Sequence, residues 1–174
     1  MKTTTFGGSK YWLLIVDEYS DMCWSAFLNT KSDLPKRMLE LVKRLKTLQQ
    51  ITVKNIRCDD AGENKKFQQL CEATGLDINF EFTGPGSPQF NGPVERKFAT
   101  LYGKVRAMLN AANLPKEIRD GIWAEAASTA SYIENALVSV NKTVPAYQLL
   151  HQKEHPTIRG IHPFGELAVV EINA

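Results

Sequence analysis

Asp59 and Glu95 are the residues of this chain whose type and surroundings could do chemistry. Asp59 ends an apolar approach, Ile56-Arg57-Cys58, that breaks at once into the acidic and small run Asp60-Ala61-Gly62-Glu63. Glu95 follows the loop Ser87-Pro88-Gln89-Phe90-Asn91-Gly92-Pro93, which runs into a helix, and Arg96-Lys97 come directly after it. Carboxylates supply the oxygen ligands that hard divalent cations require, and paired cations of this kind activate the attacking oxygen and stabilise the leaving one in phosphoryl transfer. A carboxylate leaving a strand end is held rigidly, whereas one in the first turn of a helix could swing in as the loop before it orders. Each feature alone has a plain structural reading: a first-turn glutamate complements the helix dipole, and an Asp-Asp-Ala-Gly run makes a turn. The combination, with residues 60–94 between the two carboxylates and a basic pair after the second, is what points to a site.

The elements around these residues follow from hydrophobic periodicity. Tyr11–Val16 is continuously apolar, as a strand covered on both faces would be. Asp17-Glu18-Tyr19-Ser20-Asp21 reads as a turn into a second strand over Met22–Leu28, so 11–28 is expected to be a hairpin. Ser32 or Asp33 can cap a helix with Pro35 in its first turn, turning Met38, Leu41, Val42, Leu45 and Leu48 inward. Its lysines and arginines, 36–46, read as a solvated face. Val53–Cys58 is expected as a strand ending at Asp59, 64–74 as a helix burying Phe67, Leu70 and Cys71 and stopped by Gly75, and Ile78–Phe82 as a strand. After the glycine- and proline-rich loop, Val94, Phe98, Leu101, Val105 and Met108 share one face of a helix. Glu95, Tyr102 and Arg106 lie along the edge of that stripe, and Arg96, Lys97 and Lys104 are expected on the exposed arc, disposed for phosphates. A last long helix is expected over 116–139, with Trp123, Ala126, Ala127, Ala130, Ile133 and Leu137 inward. Beyond Pro145 the tail reads as irregular, with a weak strand signal at Leu167–Ile172. Strands first, then strand and helix alternating, describe an α/β domain.

Composition narrows the class without naming a function. A chain of 174 residues, 43% hydrophobic and 23% charged, suits one domain with a sizeable core. No apolar run is long enough to span a bilayer, so no membrane partner is expected, and the first residues lack the pattern of a secretory signal. Cys23, Cys58 and Cys71 have no paired spacing and are expected to be reduced thiols inside a cell. A net charge of +2 gives no strong overall field, so any nucleic-acid contact must come from local clustering. Cys58 has no histidine partner in sequence to make it a nucleophile. His151 and His155 have a ligand-like spacing, but no cysteine lies nearby and Pro156 follows, so a solvated loop is the expected reading.

The stretch Arg57-Cys58-Asp59-Asp60-Ala61-Gly62-Glu63 resembles the Arg-Ser-Asp-Asn-Gly-Gly-Glu of copia-type retrotransposon integrases. Pro88-Gln89-Phe90-Asn91-Gly92-Pro93-Val94-Glu95-Arg96-Lys97 resembles their Pro-Gln-Gln-Asn-Gly-Val-Ala-Glu-Arg-Lys. Ile122-Trp123-Ala124-Glu125-Ala126, Pro145-Ala146-Tyr147-Gln148-Leu149 and Pro163-Phe164-Gly165 extend the resemblance over most of the chain. Ala61, where the family has glycine, and Phe98-Ala99, where polar or basic residues commonly follow, depart from it. The resemblance implies a ribonuclease-H-like fold, a mixed sheet flanked by helices. It implies a catalytic core over 1–145 with an extension over 146–174. It also implies a metal-dependent polynucleotidyl transferase of the Asp-Asp-Glu type, acting in 3′-end processing and strand transfer. Asp59 and Glu95 would bind Mg²⁺ or Mn²⁺, while Gln89, Asn91, Arg96, Lys97 and Lys104 would contact the DNA of element ends and target. The intact parent would be a homo-oligomer working in the nucleus.

One acidic residue is expected to be missing. Asp17-Glu18-Tyr19-Ser20-Asp21 resembles the family's Asp-Asp-Tyr-Ser-Arg, which belongs to the second strand and not to the first, ligand-bearing one. Asp17 is therefore read as a hairpin-turn residue, with the chain beginning after the first catalytic strand and its activity alone left open. Two other classes stay open. One is a non-catalytic nucleic-acid-binding or assembly remnant of a decayed element. The other is a ribonuclease-H-like nuclease using Asp17, Asp59 and Glu95.

Overall fold

The computed structural model describes residues 3–84, 92–140, 142–154 and 160–166. Two antiparallel strands, β1 (Tyr11–Val16) and β2 (Cys23–Leu28), form the expected hairpin in the register Tyr11↔Leu28 to Val16↔Cys23. Its turn is built by Asp17, whose Oδ2 accepts from the Ser20 amide at 2.8 Å and from Ser20 Oγ at 2.6 Å. Asp17 is thus a turn residue, with Ser20 fully buried beneath it. Helix α1 (Leu34–Gln49), with Pro35 in its first turn, leads to β3 (Asn55–Asp59). Helix α2 (Gly62–Ala73) and β4 (Asn79–Thr83) follow, and β4 pairs parallel with β3, placing Asp59 opposite Thr83. Then come α3 (Gly92–Ala111), α4 (Lys116–Gly121), α5 (Trp123–Ala136) and α6 (Ala146–His151).

The architecture is mixed α/β, with its strand bonding in two separate pairs among the described residues. Alternation along β1 feeds two cores at once. Leu13 and Ile15 pack with Met38 and Val42 of α1, Phe67 and Cys71 of α2, and Ile56 and Phe80 of the parallel pair. Trp12, Leu14 and Val16 pack with Leu101 and Val105 of α3 and Ala126, Ala127 and Ala130 of α5. The three alanines are fully buried and let α5 approach α3 and β2 closely. Polar groups inside this second core are all partnered. Asn135 Oδ1 accepts from the Cys23 amide and its Nδ2 donates to the Cys23 carbonyl. Ser25 Oγ accepts from Trp12 Nε1 and meets Ser131 Oγ at 2.6 Å.

Several expected boundaries move, each for a physical reason. The helix expected over 116–139 breaks at Ile122, because Phe6 lies directly over Gly121 and its amide donates to the Gly121 carbonyl at 2.9 Å. Trp123 Nε1 donates to the Thr3 carbonyl, pinning the N-terminal arm on this junction. The helix then stops at Ala136, leaving Leu137 extended and exposed. Leu48 is exposed too, since at about 100° per residue it sits roughly 80° off the Met38–Val42–Leu45 stripe. The region after Pro145, read as irregular, holds α6, whose six residues are too few for a periodic signal. His151 is on that helix and not in a solvated loop. Its ring lies 4.3 Å from that of Tyr147, and burial pulls its pKa below the usual value. His155 and the strand signal at 167–172 lie outside the described residues. The three cysteines are unpaired, and among the described residues no helix is long and apolar enough to cross a membrane.

Candidate active site

Asp59 is placed by the strand's own alternation. Ile56 and Cys58 turn to the α1–α2 core, so Asn55, Arg57 and Asp59 face the other way, exposed on the side of the strands where α3 and α5 cover β1–β2. Ala61, extended, then starts α2, and this brings Asn64 back over the strand end. Asn64 Nδ2 donates to Asp59 Oδ1 at 2.6 Å and to the Asp59 carbonyl at 3.2 Å. Asp60 is paired differently, to Lys65 at 2.9 Å. Of two adjacent carboxylates, one is paired with a lysine and the other is oriented by a neutral amide. Asp59 Oδ2 has no partner among the described residues. Asn64 escaped the reading of the sequence, since an amide five residues downstream looks like any helix-surface residue.

Two neighbours complete this strand end. Arg57 donates through Nε to Glu81 at 3.0 Å and through Nη1 to Glu18 at 2.5 Å, bridging the two strand pairs. Cys58 points inward, where burial, reinforced by the charges of Asp59 and Asp60, pushes its thiol up to about 11. It holds a proton at neutral pH and is no nucleophile.

Glu95 lies in the first turn of α3, exposed and without a partner among the described residues. Arg96 beside it is exposed as expected. Lys97 and Lys104 are not on the exposed arc. Both face α5, where Lys97 Nζ reaches Glu134 Oε1 at 3.0 Å and Lys104 Nζ reaches Oε2 at 2.6 Å. The Lys97 side chain is only 12% exposed. Burial pushes the Glu134 carboxyl up, but the hydrogen bonds and charges of the two lysines outweigh it and hold its pKa below the usual value. The expectation failed because Glu134 is far off in sequence, on a helix that otherwise reads as apolar. Gln89 and Asn91 lie outside the described residues.

Asp59 and Glu95 thus each offer an open carboxylate oxygen, the donor type that Mg²⁺ and Mn²⁺ take. Among the described residues no three His, Cys, Asp or Glu side chains converge on one point.

No family model matches the chain. It is 34% identical over 142 residues to the Retrovirus-related Pol polyprotein from transposon TNT 1-94 of Nicotiana tabacum, a match covering 80% of this chain and 10% of that polyprotein. The chain therefore spans about a tenth of that relative's length. Among solved structures it resembles a chain of the simian T-cell lymphotropic virus intasome, with TM-score 0.63 at 22% identity over 91% of this chain and 53% of that one. It resembles the HTLV-2 integrase catalytic core domain in complex with magnesium, with TM-score 0.59 at 18% identity over 86% and 91% of the two chains. The catalytic core domain of BIV integrase gives TM-score 0.60 at 18% identity over 87% and 91%. These likenesses establish the ribonuclease-H-like fold. Together, these likenesses make the chain similar to a segment of a transposon Pol polyprotein that has the ribonuclease-H-like fold of retroviral integrase cores.

Proposed function

We propose that this domain serves metal-dependent DNA strand transfer: trimming of an element's 3′ ends by water, then in-line attack of the freed 3′-hydroxyl on a target strand. The observation that carries the reading is the carboxylate of Asp59, exposed on the face of β3 that no described residue covers and oriented by Asn64, while Asp60 is paired with Lys65. Glu95, in the first turn of α3, supplies the second carboxylate. Asp59 and Glu95 would hold Mg²⁺ or Mn²⁺, which when bound polarise the phosphoryl oxygens and activate the attacking oxygen. Asn64 keeps one Asp59 oxygen engaged and so aims the other. Arg96 meets strand phosphates beside Glu95, and Gln89 and Asn91, which precede it in sequence, would contact the DNA. Lys97 and Lys104 act at one remove, fixing α3 against α5 through Glu134 and so fixing where Glu95 stands.

The third carboxylate of such a site is not Asp17, which is committed to its turn. Among the described residues β1 bonds only β2 and β3 bonds only β4. Self-association of the intact protein is supported by the likeness to HTLV-2 cores solved in trimeric and dimeric forms. Calorimetric titration of Mn²⁺ into the chain and its Asp59→Asn and Glu95→Gln variants tests the assignment. Binding by the unaltered chain that is lost in both variants is the expected result. No binding, or binding indifferent to both substitutions, overturns it and leaves metal-free DNA binding as the function.

A further inference from the structure

Beside the proposed carboxylate, α3 carries a feature that metal ligation does not use. At about 100° per residue, Glu95, Phe98, Tyr102 and Arg106 fall within an arc of roughly 80°. The Phe98 and Tyr102 rings lie nearly parallel, 11° apart in plane with centroids at 6.3 Å. Trp12 of β1 backs Phe98 at 4.7 Å, and its indole is itself fixed by the Nε1–H bond to Ser25 Oγ at 2.8 Å. Tyr102, at the outer end of this stack, is 39% exposed, a large amount for an aromatic ring so firmly supported. The strip runs from Glu95 to Arg106, which is exposed and makes no ion pair among the described residues, as is Arg96. Lys97 and Lys104, the other cations of this helix stretch, are turned away to Glu134.

A rigid, open aromatic face between a phosphate-seeking cation and a carboxylate is a stacking platform for a nucleobase. Stacking needs a base freed from its pair, since in a duplex both faces of a base are occupied. We propose that Tyr102, supported by Phe98 and Trp12, stacks one unpaired base of the DNA strand that approaches Glu95, with Arg106 on the adjoining phosphate. The occupant is a nucleic-acid strand and not an apolar protein surface because the charged Glu95 and Arg106 bound the strip, and an apolar partner would have to strip them of water. The proposal deepens the strand-transfer reading and rests on it for the strand's location, but stacking itself needs no metal.

The test is therefore made in EDTA, with a fluorescein-labelled oligonucleotide whose end is single-stranded, titrated with the full chain. Tyr102→Ala is expected to weaken binding about 5- to 160-fold, the range of one base–aromatic stack, and Tyr102→Phe to restore it. An abasic site at the stacked position is expected to cost the unaltered chain the same factor and to cost Tyr102→Ala nothing. Arg106→Gln should weaken abasic and intact strands alike and flatten the salt dependence. Equal affinity of Tyr102→Ala and the unaltered chain, or a loss that is the same on abasic and fully paired DNA, overturns the proposal. So does a change in sedimentation with no change in DNA affinity, which would make the ledge a contact between protein chains. Asp59→Asn in the same assay separates the two readings, since stacking survives in it even where Mn²⁺ binding fails.

Discussion

The two strand pairs are built from similar lengths of chain and treated in opposite ways. β1–β2 is covered on both faces, with α1 and α2 beneath Leu13 and Ile15 and α3 and α5 above Trp12, Leu14 and Val16. Among the described residues, β3–β4 is covered on one face only. Ile56 and Phe80 go into the α1–α2 core, where Phe80 meets Phe67 edge-on at 5.4 Å. Asn55, Arg57 and Asp59 on the other face stand opposite Asn79, Glu81 and Thr83. The hydrophobic effect thus binds the first pair from two sides and the second from one. A polar residue on the first pair's faces must find a partner inside, as Ser25 does. A carboxylate on the second can stay open to ligands. Structure and chemistry are divided between the two pairs, and substitutions on each should report that division.

The largest effect is expected on the doubly covered side. Leu101 is fully buried between α5 and the β1–β2 face, and Leu101→Ala leaves a cavity lined by residues that the alanines of α5 cannot refill. Such truncations cost about 3–5 kcal/mol. Urea denaturation followed by circular dichroism should show the midpoint falling without a change in slope. A loss under about 1 kcal/mol would mean that α3 is not held by this core.

Next comes the ion triad that locks α3 to α5. Glu134→Gln leaves Lys97, only 12% exposed, without its counter-charge. A fully buried pair broken this way costs about 3–5 kcal/mol, and the partial exposure of Lys104 lowers the expectation to about 2–3. The pH dependence has a definite sign. Because Glu134 titrates lower in the folded state than its ordinary 4.5, its contribution is complete above that value and is lost as pH falls through the folded pKa. The unaltered chain should therefore lose more stability between neutral pH and pH about 3 than Glu134→Gln does. Parallel stability curves for the two would remove the triad from the account.

How far these features could be read in advance depended on how locally they are encoded. The hairpin was legible because Tyr11–Val16 is apolar at every position and Asp17 with Ser20 closes the turn within four residues. The helix carrying Glu95 was legible because its stripe repeats at steps of three and four for five members. What failed was settled by partners distant in sequence. Gly121 looks like a tolerated helix glycine until Phe6, more than a hundred residues earlier, is laid across it. Lys97 and Lys104 look like a wet phosphate-binding arc until Glu134 takes both. For the candidate site, Asp59 and Glu95 stood out by composition and flanks. Asn64, which orients Asp59, has no periodicity and no charge to mark it.

The smallest stability effect is expected at the residue with the largest proposed role. Asp59→Asn removes a charge from an exposed strand end whose face no described residue covers, and the new amide can still meet Asn64 through its carbonyl oxygen. The change in unfolding free energy should stay within about 0.5 kcal/mol, as for surface positions away from core contacts. A structural aspartate would behave otherwise: had Asp59 been the anchor of the β3–α2 turn, losing its charge would cost as much as losing a cap, about 1 kcal/mol. The same variant measured for stability and for Mn²⁺ affinity therefore separates the alternatives in one protein. Unchanged stability with lost metal binding belongs to a ligand held open by one-sided cover. Lost stability with unchanged metal binding would make Asp59 part of the turn and move the proposed chemistry away from the β3–β4 face.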